Sequence, residues 1–110
     1  MAEIPLQVVN FRKLAVDLTR NAAAADTMQT GKNKVLVAQN TSGATRTLTV
    51  SIPGTALTGQ ATLDLVETVA NGEVAFIPIG DNYSDPTLSN QAAIGWDNVT
   101  GVKVAAIAFL

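Results

Sequence analysis

Thr47-Leu48-Thr49-Val50-Ser51-Ile52 decides the fold class. Apolar and polar residues alternate strictly, which places Leu48, Val50 and Ile52 on one face and Thr47, Thr49 and Ser51 on the other. That period of two belongs to a half-exposed β-strand and not to a helix. Upstream, Lys34-Val35-Leu36-Val37-Ala38-Gln39 reads as its hairpin partner, because the link Asn40-Thr41-Ser42-Gly43-Ala44 is built of turn-forming residues. Downstream, Leu63–Val69 and Glu73–Ile77 flank Ala70-Asn71-Gly72, and Asn-Gly takes the positive φ angles that tight hairpin turns require.

Further strands are expected at Leu14–Leu18, Asp26–Gln29, Gln91–Trp96 and Val102–Leu110, with Gly, Pro or Asn between them. The alanine run Asn21–Asp26 is too short to hold a helix by propensity and reads as a turn or one helical turn. Ile79–Pro86 reads as a polar loop. Short strands at this spacing predict an all-β, single-domain antiparallel β-sandwich or jelly roll. The last strand carries Val102, Val104, Ala106 and Ala108 on one face and Lys103, Ala105, Ile107 and Phe109 on the other. Both faces are apolar beyond Lys103, so the second needs cover from the same core, from the N-terminal segment Ile4–Phe11 or from another subunit.

Composition narrows the function. The chain has 110 residues, which suits one domain, with 47% hydrophobic and only 15% charged residues. It contains no cysteine and no histidine. Disulfides, thiolate metal sites and Ser-His-Asp or Cys-His catalysis are thereby excluded within the chain, and no enzyme activity, cofactor or metal is expected. A net charge of −2 argues against generic nucleic-acid binding. The longest apolar run, Val104–Leu110, is far short of a bilayer span, and Met1–Leu6, with Glu3 and Pro5, does not read as a secretory signal. No membrane partner is expected, and synthesis is expected in a cytoplasm. On that expectation the three N-x-[ST] sequons at Asn40, Asn82 and Asn98 read as coincidence.

The charges are unevenly placed. Residues 1–46 hold six basic groups (Arg12, Lys13, Arg20, Lys32, Lys34, Arg46) against three acids, a net of 6 − 3 = +3; residues 47–110 hold Lys103 against six acids, 1 − 6 = −5. The split either vanishes in space or lets copies pair with opposite charges facing.

The remaining candidates for chemistry are weak. Asp81 and Asp85, with Asn82 and Ser84, offer oxygen ligands but lack the closing Glu of a calcium loop. Glu67 and Glu73 could face each other across the Asn71-Gly72 turn, but a glycosidase pair needs an aromatic-lined cleft and aromatic content is 5%. Gly54–Gln60 lacks the Lys of a P-loop. Phe11-Arg12-Lys13 is a single aromatic–basic cluster, and Trp96 is the only tryptophan.

The order of segments carries a resemblance. Gly31–Gly43 followed by Thr47–Thr55, the stretch Val69–Ile79, and the ending Asn98-Val99-Thr100-Gly101-Val102-Lys103-Val104-Ala105-Ala106-Ile107 resemble small phage head decoration (cement) proteins, over residues 14–110. The end, Ala108-Phe109-Leu110, is more apolar than that pattern, and loop 80–86 does not match it. The resemblance implies a β-sandwich domain (14–110) with an extended N-terminal arm (1–13). It implies a virion protein bound to the major capsid protein outside an icosahedral head, self-associating as a homotrimer. The expected interface residues are Ile4, Leu6, Val8, Phe11, Ile107, Phe109 and Leu110. A carbohydrate-binding module of a phage tail or surface structure is the alternative, with Trp96 and Tyr83 as its aromatics.

Overall fold

The computed structural model describes residues 2–9, 16–51, 64–85 and 88–109. Among these residues nine strands run in chain order: β1 (Ala2–Glu3), β2 (Leu6–Val9), β3 (Asp26–Gln29), β4 (Lys34–Asn40), β5 (Arg46–Val50), β6 (Leu65–Val69), β7 (Val74–Pro78), β8 (Gln91–Trp96) and β9 (Val102–Phe109). They form a five-stranded sheet, β1-β3-β8-β5-β6, and a four-stranded sheet, β2-β9-β4-β7. The expectation of an all-β sandwich holds. Alternation in β5 is as expected: Leu48 and Val50 are fully buried while Thr47 and Thr49 stay half-exposed. Ile52 and the segment Gly54–Gln60 lie outside the described residues.

Three expectations are corrected. First, neither turn makes a hairpin. Strand β4 pairs with β7 and β9, while β5 pairs with β6 and β8 in the other sheet, so the 40–44 link crosses between sheets. The 70–73 turn likewise carries the chain from β6 in one sheet to β7 in the other.

The buried side chain of Asn40 explains both crossings. Its Nδ2 donates to the carbonyls of Ala44 (2.7 Å) and Val69 (2.8 Å), and its Oδ1 accepts from the Ser42 N–H (3.0 Å) and hydroxyl (2.7 Å). Its backbone carbonyl accepts from Gly72 N–H at 2.7 Å, and its own N–H donates to Glu73 O at 3.1 Å. One residue thus ties the two crossovers together, leaving none of its polar groups unsatisfied in the interior. Gly101, at φ +76, lies against the same end: a Cβ there would come within 2.5 Å of Ser42 Cα.

Second, the sheets are mixed and not purely antiparallel. β1 pairs parallel with β3, and β2 pairs parallel with β9, from Leu6 opposite Ala106 to Val9 opposite Phe109. Residues 2–9 therefore do not project as an arm: they run from the edge of one sheet to the edge of the other. Ile4 at the crossing is 2% exposed, and its N–H donates to Thr27 O at 2.7 Å.

Third, residues 16–18 of the expected Leu14–Leu18 strand are not a strand, and Leu14 and Ala15 lie outside the described residues. Val16 and Leu18 instead pack on a second apolar cluster of Val9, Val37, Ala105 and Ile107, while Asp17 exchanges two 2.8 Å hydrogen bonds with the Gln7 side chain. This strap contributes cover for the second face of β9 from within the chain. The first face of β9 joins the main core with Leu36, Leu48, Val50, Ile94 and Met28.

Candidate functional site

The sandwich has two lateral sides where sheet edges meet. Residues 2–9 close one; at the other, among the described residues, no strand bridges the edges β6 and β7, which only the 70–73 turn connects. A groove of about 580 Å³ opens between them, lined by Leu65, Glu67, Thr68, Glu73, Phe76, Tyr83 and their neighbours. The register explains why it stays open. Glu67 stands opposite Leu48, and Leu48 faces the core, so Glu67 directs a carboxylate toward the interior at the rim of the sheet. An inward charge at an edge is a known means of keeping a sheet from closing or extending.

Among the described residues, apolar surface concentrates on this side. Val66 is 59% exposed, Val74 42% and Phe76 53%; the other large hydrophobic residue exposed among the described ones, Val8, is 63% exposed on β2. Phe76 stands opposite Val37, whose other neighbour is Ala105, so an apolar row crosses the outer face of the four-stranded sheet and ends on Phe76. Val66 stands opposite the half-exposed Thr49, on the outer face of the five-stranded sheet.

The residues expected to form an interface are scattered. Ile4 and Ile107 are interior. Leu6 is half-buried against the main core, and Phe109 is half-buried beside Val9, its carbonyl accepting from Asn33 Nδ2 at 2.7 Å. Val8 alone is exposed, and Phe11 and Leu110 lie outside the described residues. Sequence reasoning missed Val66, Val74 and Phe76. The available signal was Val74–Pro78 itself, an apolar strand that lacks any charged residue.

The chemical candidates also find their places. Glu67 and Glu73 do line one groove, and Glu73 Oε1 is held by the Ala70 N–H at 2.7 Å, closing the Asn71-Gly72 turn. Asp81 opens a short 3-10 turn and accepts from the Thr30 hydroxyl at 3.0 Å, whereas the backbone of Asp85 pairs with Gln91. Among the described residues no three acidic side chains converge as metal ligands would. Trp96 packs against the core with its indole N–H buried and, among the described residues, without a partner, away from the groove that Tyr83 lines. Asn40, the first sequon asparagine, is buried with its amide nitrogen donating twice, and no glycan can attach there in this fold. Among the described residues no helix is long and apolar enough to cross a membrane. No family model, no curated protein and no solved structure matches the chain.

Proposed function

We propose that the protein is a structural component of a virion, bound outside an icosahedral phage head and stabilising its lattice. The observation that carries this reading is the open side of the sandwich, where Val66, Val74 and Phe76 leave apolar surface to be covered. The strand order adds support: β2-β9-β4-β7 and β3-β8-β5-β6 follow the order expected of a jelly roll, an architecture that viral capsids use, with the edge strand β1 and the parallel β2–β9 pairing as departures. The sequence resemblance to head decoration proteins points the same way.

Such a protein acts by mass action. It binds the assembled shell and not the free subunits, so each bound copy shifts the equilibrium toward the shell. The partners in this reading are the major capsid protein and further copies of the chain, grouped as a homotrimer on three-fold sites. An N-terminal arm laid over a neighbour would be an exchange of residues 2–9, whose edge-strand bonds can form within a copy or between copies. The test is co-sedimentation with expanded, undecorated heads built from the major capsid protein of the same genome. Saturable binding that raises the heads' resistance to heat supports the reading, and absence of binding overturns it.

A carbohydrate-binding role is favoured by one feature, the convergence of Tyr83, Glu67 and Glu73 in a single groove with Phe76 at its rim. Trp96 lies elsewhere, so tryptophan fluorescence would not report binding there. Chemical-shift changes confined to Phe76 and Tyr83 on adding oligosaccharide would support this second reading over the first.

A further inference from the structure

We propose that β7 is a self-association edge, through which two copies join across a two-fold axis by antiparallel β7–β7 pairing centred on Phe76. The inference stands on the geometry of this edge and does not depend on the partner being a capsid.

The hydrogen-bond alternation of an antiparallel ladder decides which backbone groups β7 has free. Ile79 N–H donates to Lys34 O at 3.0 Å, and Glu73 O accepts from Asn40 N–H at 3.1 Å. Residues 73, 75, 77 and 79 therefore turn their backbone groups away from the open edge, toward β4 except at the two ends, where the Glu73 N–H donates to Ala70 O and the Ile79 carbonyl accepts from Gly31 N–H. Val74, Phe76 and Pro78 turn theirs outward, and Pro78 has a carbonyl but no N–H. A two-fold pairing centred on Phe76 lets each Phe76 donate to and accept from its copy. It also sets each Val74 N–H against the Pro78 carbonyl of the other chain. Every outward N–H of the strand then has a partner, and the missing proline N–H leaves only the Val74 carbonyl to water.

The side chains agree with this register. Directly opposed residues lie on the same face, so the two Phe76 rings meet on the outer face, flanked by Val74 against Pro78. The two four-stranded sheets become one eight-stranded sheet, and the apolar row Ala105–Val37–Phe76 continues into its copy. The charges complement as well. Lys32 and Lys34 sit at the Ile79 end of the β4–β7 ladder, against one acid, Asp81, and Glu73 sits at the opposite end. The antiparallel arrangement brings each Glu73 opposite Ile79 of the copy, two strand spacings or roughly 10 Å from Lys34.

The other edges do not offer this. A two-fold β6 pairing about its middle residue would set Glu67 against Glu67, a like-charge pair. β1 is two residues long, and over β2 the Gln7 side chain already engages the Asp17 backbone. A five-residue edge falls below the usual interface size, so the contact in solution is weak, with Kd on the order of 100 μM. On a surface that gathers copies, the same contact gains from multivalency.

The absence of cysteine makes the test clean. Directly opposed residues in a hydrogen-bonded pair have Cα atoms ~5.5 Å apart, within disulfide reach. Phe76→Cys in the full chain is expected to form a disulfide dimer under mild oxidation. Val74→Cys is expected not to, because copies of residue 74 stand four positions apart in this register. In sedimentation equilibrium, Phe76→Lys should weaken dimerisation of the full chain at least about tenfold, with an unchanged circular dichroism spectrum. Preferential crosslinking through Val66→Cys or Val8→Cys would overturn the proposal by placing the contact on another edge, and so would a strictly monomeric wild-type chain at about ten times that Kd. Failure to bind heads alongside efficient crosslinking at residue 76 would overturn the capsid reading and leave this one standing.

Discussion

Along one side of the sandwich, Glu3, Ile4 and Leu6 carry the chain from the edge of one sheet to the edge of the other. Ile4 is buried at the crossing, and Glu3 accepts from Gln91 Nε2 at 2.6 Å. Along the opposite side, β6 and β7 end in water with Val66, Val74 and Phe76 exposed and Glu67 held at the rim. Both sides face the same problem, two sheet edges with unused backbone groups. The first is solved within the chain, with parallel strands that add backbone bonds and an apolar plug. The second has no covering strand among the described residues. A side that folding does not close is where association with another molecule costs least.

This contrast can be broken deliberately. The largest effect is expected at the closed side: Ile4→Ala should lower stability by about 2–5 kcal/mol, since it empties a buried site between the sheets. Urea unfolding measures it, and a loss below about 1 kcal/mol would mean that residues 2–9 do not close the sandwich in solution. Next comes Asn40→Ala, expected to cost about 2–4 kcal/mol by removing the amide that donates to the Val69 and Ala44 carbonyls and accepts from Ser42 in the interior. The side chain also ties the 40–44 link to the end of β6 through the Val69 carbonyl, so its loss should loosen the turn that leads into β7, seen as faster amide exchange at Val74 and Phe76 than at Val104.

The open side should respond in the opposite sense. Phe76→Lys should change stability by under about 1 kcal/mol, because half the ring is already in water. The same change is expected to abolish most self-association, so thermal unfolding and sedimentation on one sample separate the two roles. The smallest effect is expected for Val66→Lys, under about 0.5 kcal/mol in stability and with self-association unchanged. A marked loss of association there would shift the contact from β7 to β6.

The strands were legible because alternation is a local property. Gln91–Trp96 and Asp26–Gln29 fall where the pattern put them, and Leu48 and Val50 face the core as their spacing requires. Their partners were not legible. Asn40–Ala44 and Ala70–Glu73 have the turn chemistry of hairpins, yet each changes sheets, and the same φ angles serve either course. What separates the two is whether Asn40 is buried, and nothing near it in the sequence says so. The open side was obscured for a related reason. In Val74-Ala75-Phe76-Ile77 every residue is apolar, so the pattern cannot tell that Ile77 faces inward and Phe76 outward. For β9 the pattern showed that both faces need cover, but Val16 and Leu18 supply it from a stretch that itself reads as a strand.

The sequence by itself determined the class of the molecule. Period-two patterning and turn residues make it all-β, and the lack of cysteine and histidine removes whole families of chemistry, because these depend on residue type and near neighbours alone. Tertiary structure decided the rest: which strands pair, that the N-terminal segment closes one side, and that β7 is left as a free edge. Those outcomes depend on contacts between residues far apart in the chain. Phe76 is exposed because β7 is the last strand of its sheet, a position fixed by β4 and β9 and not by its own sequence.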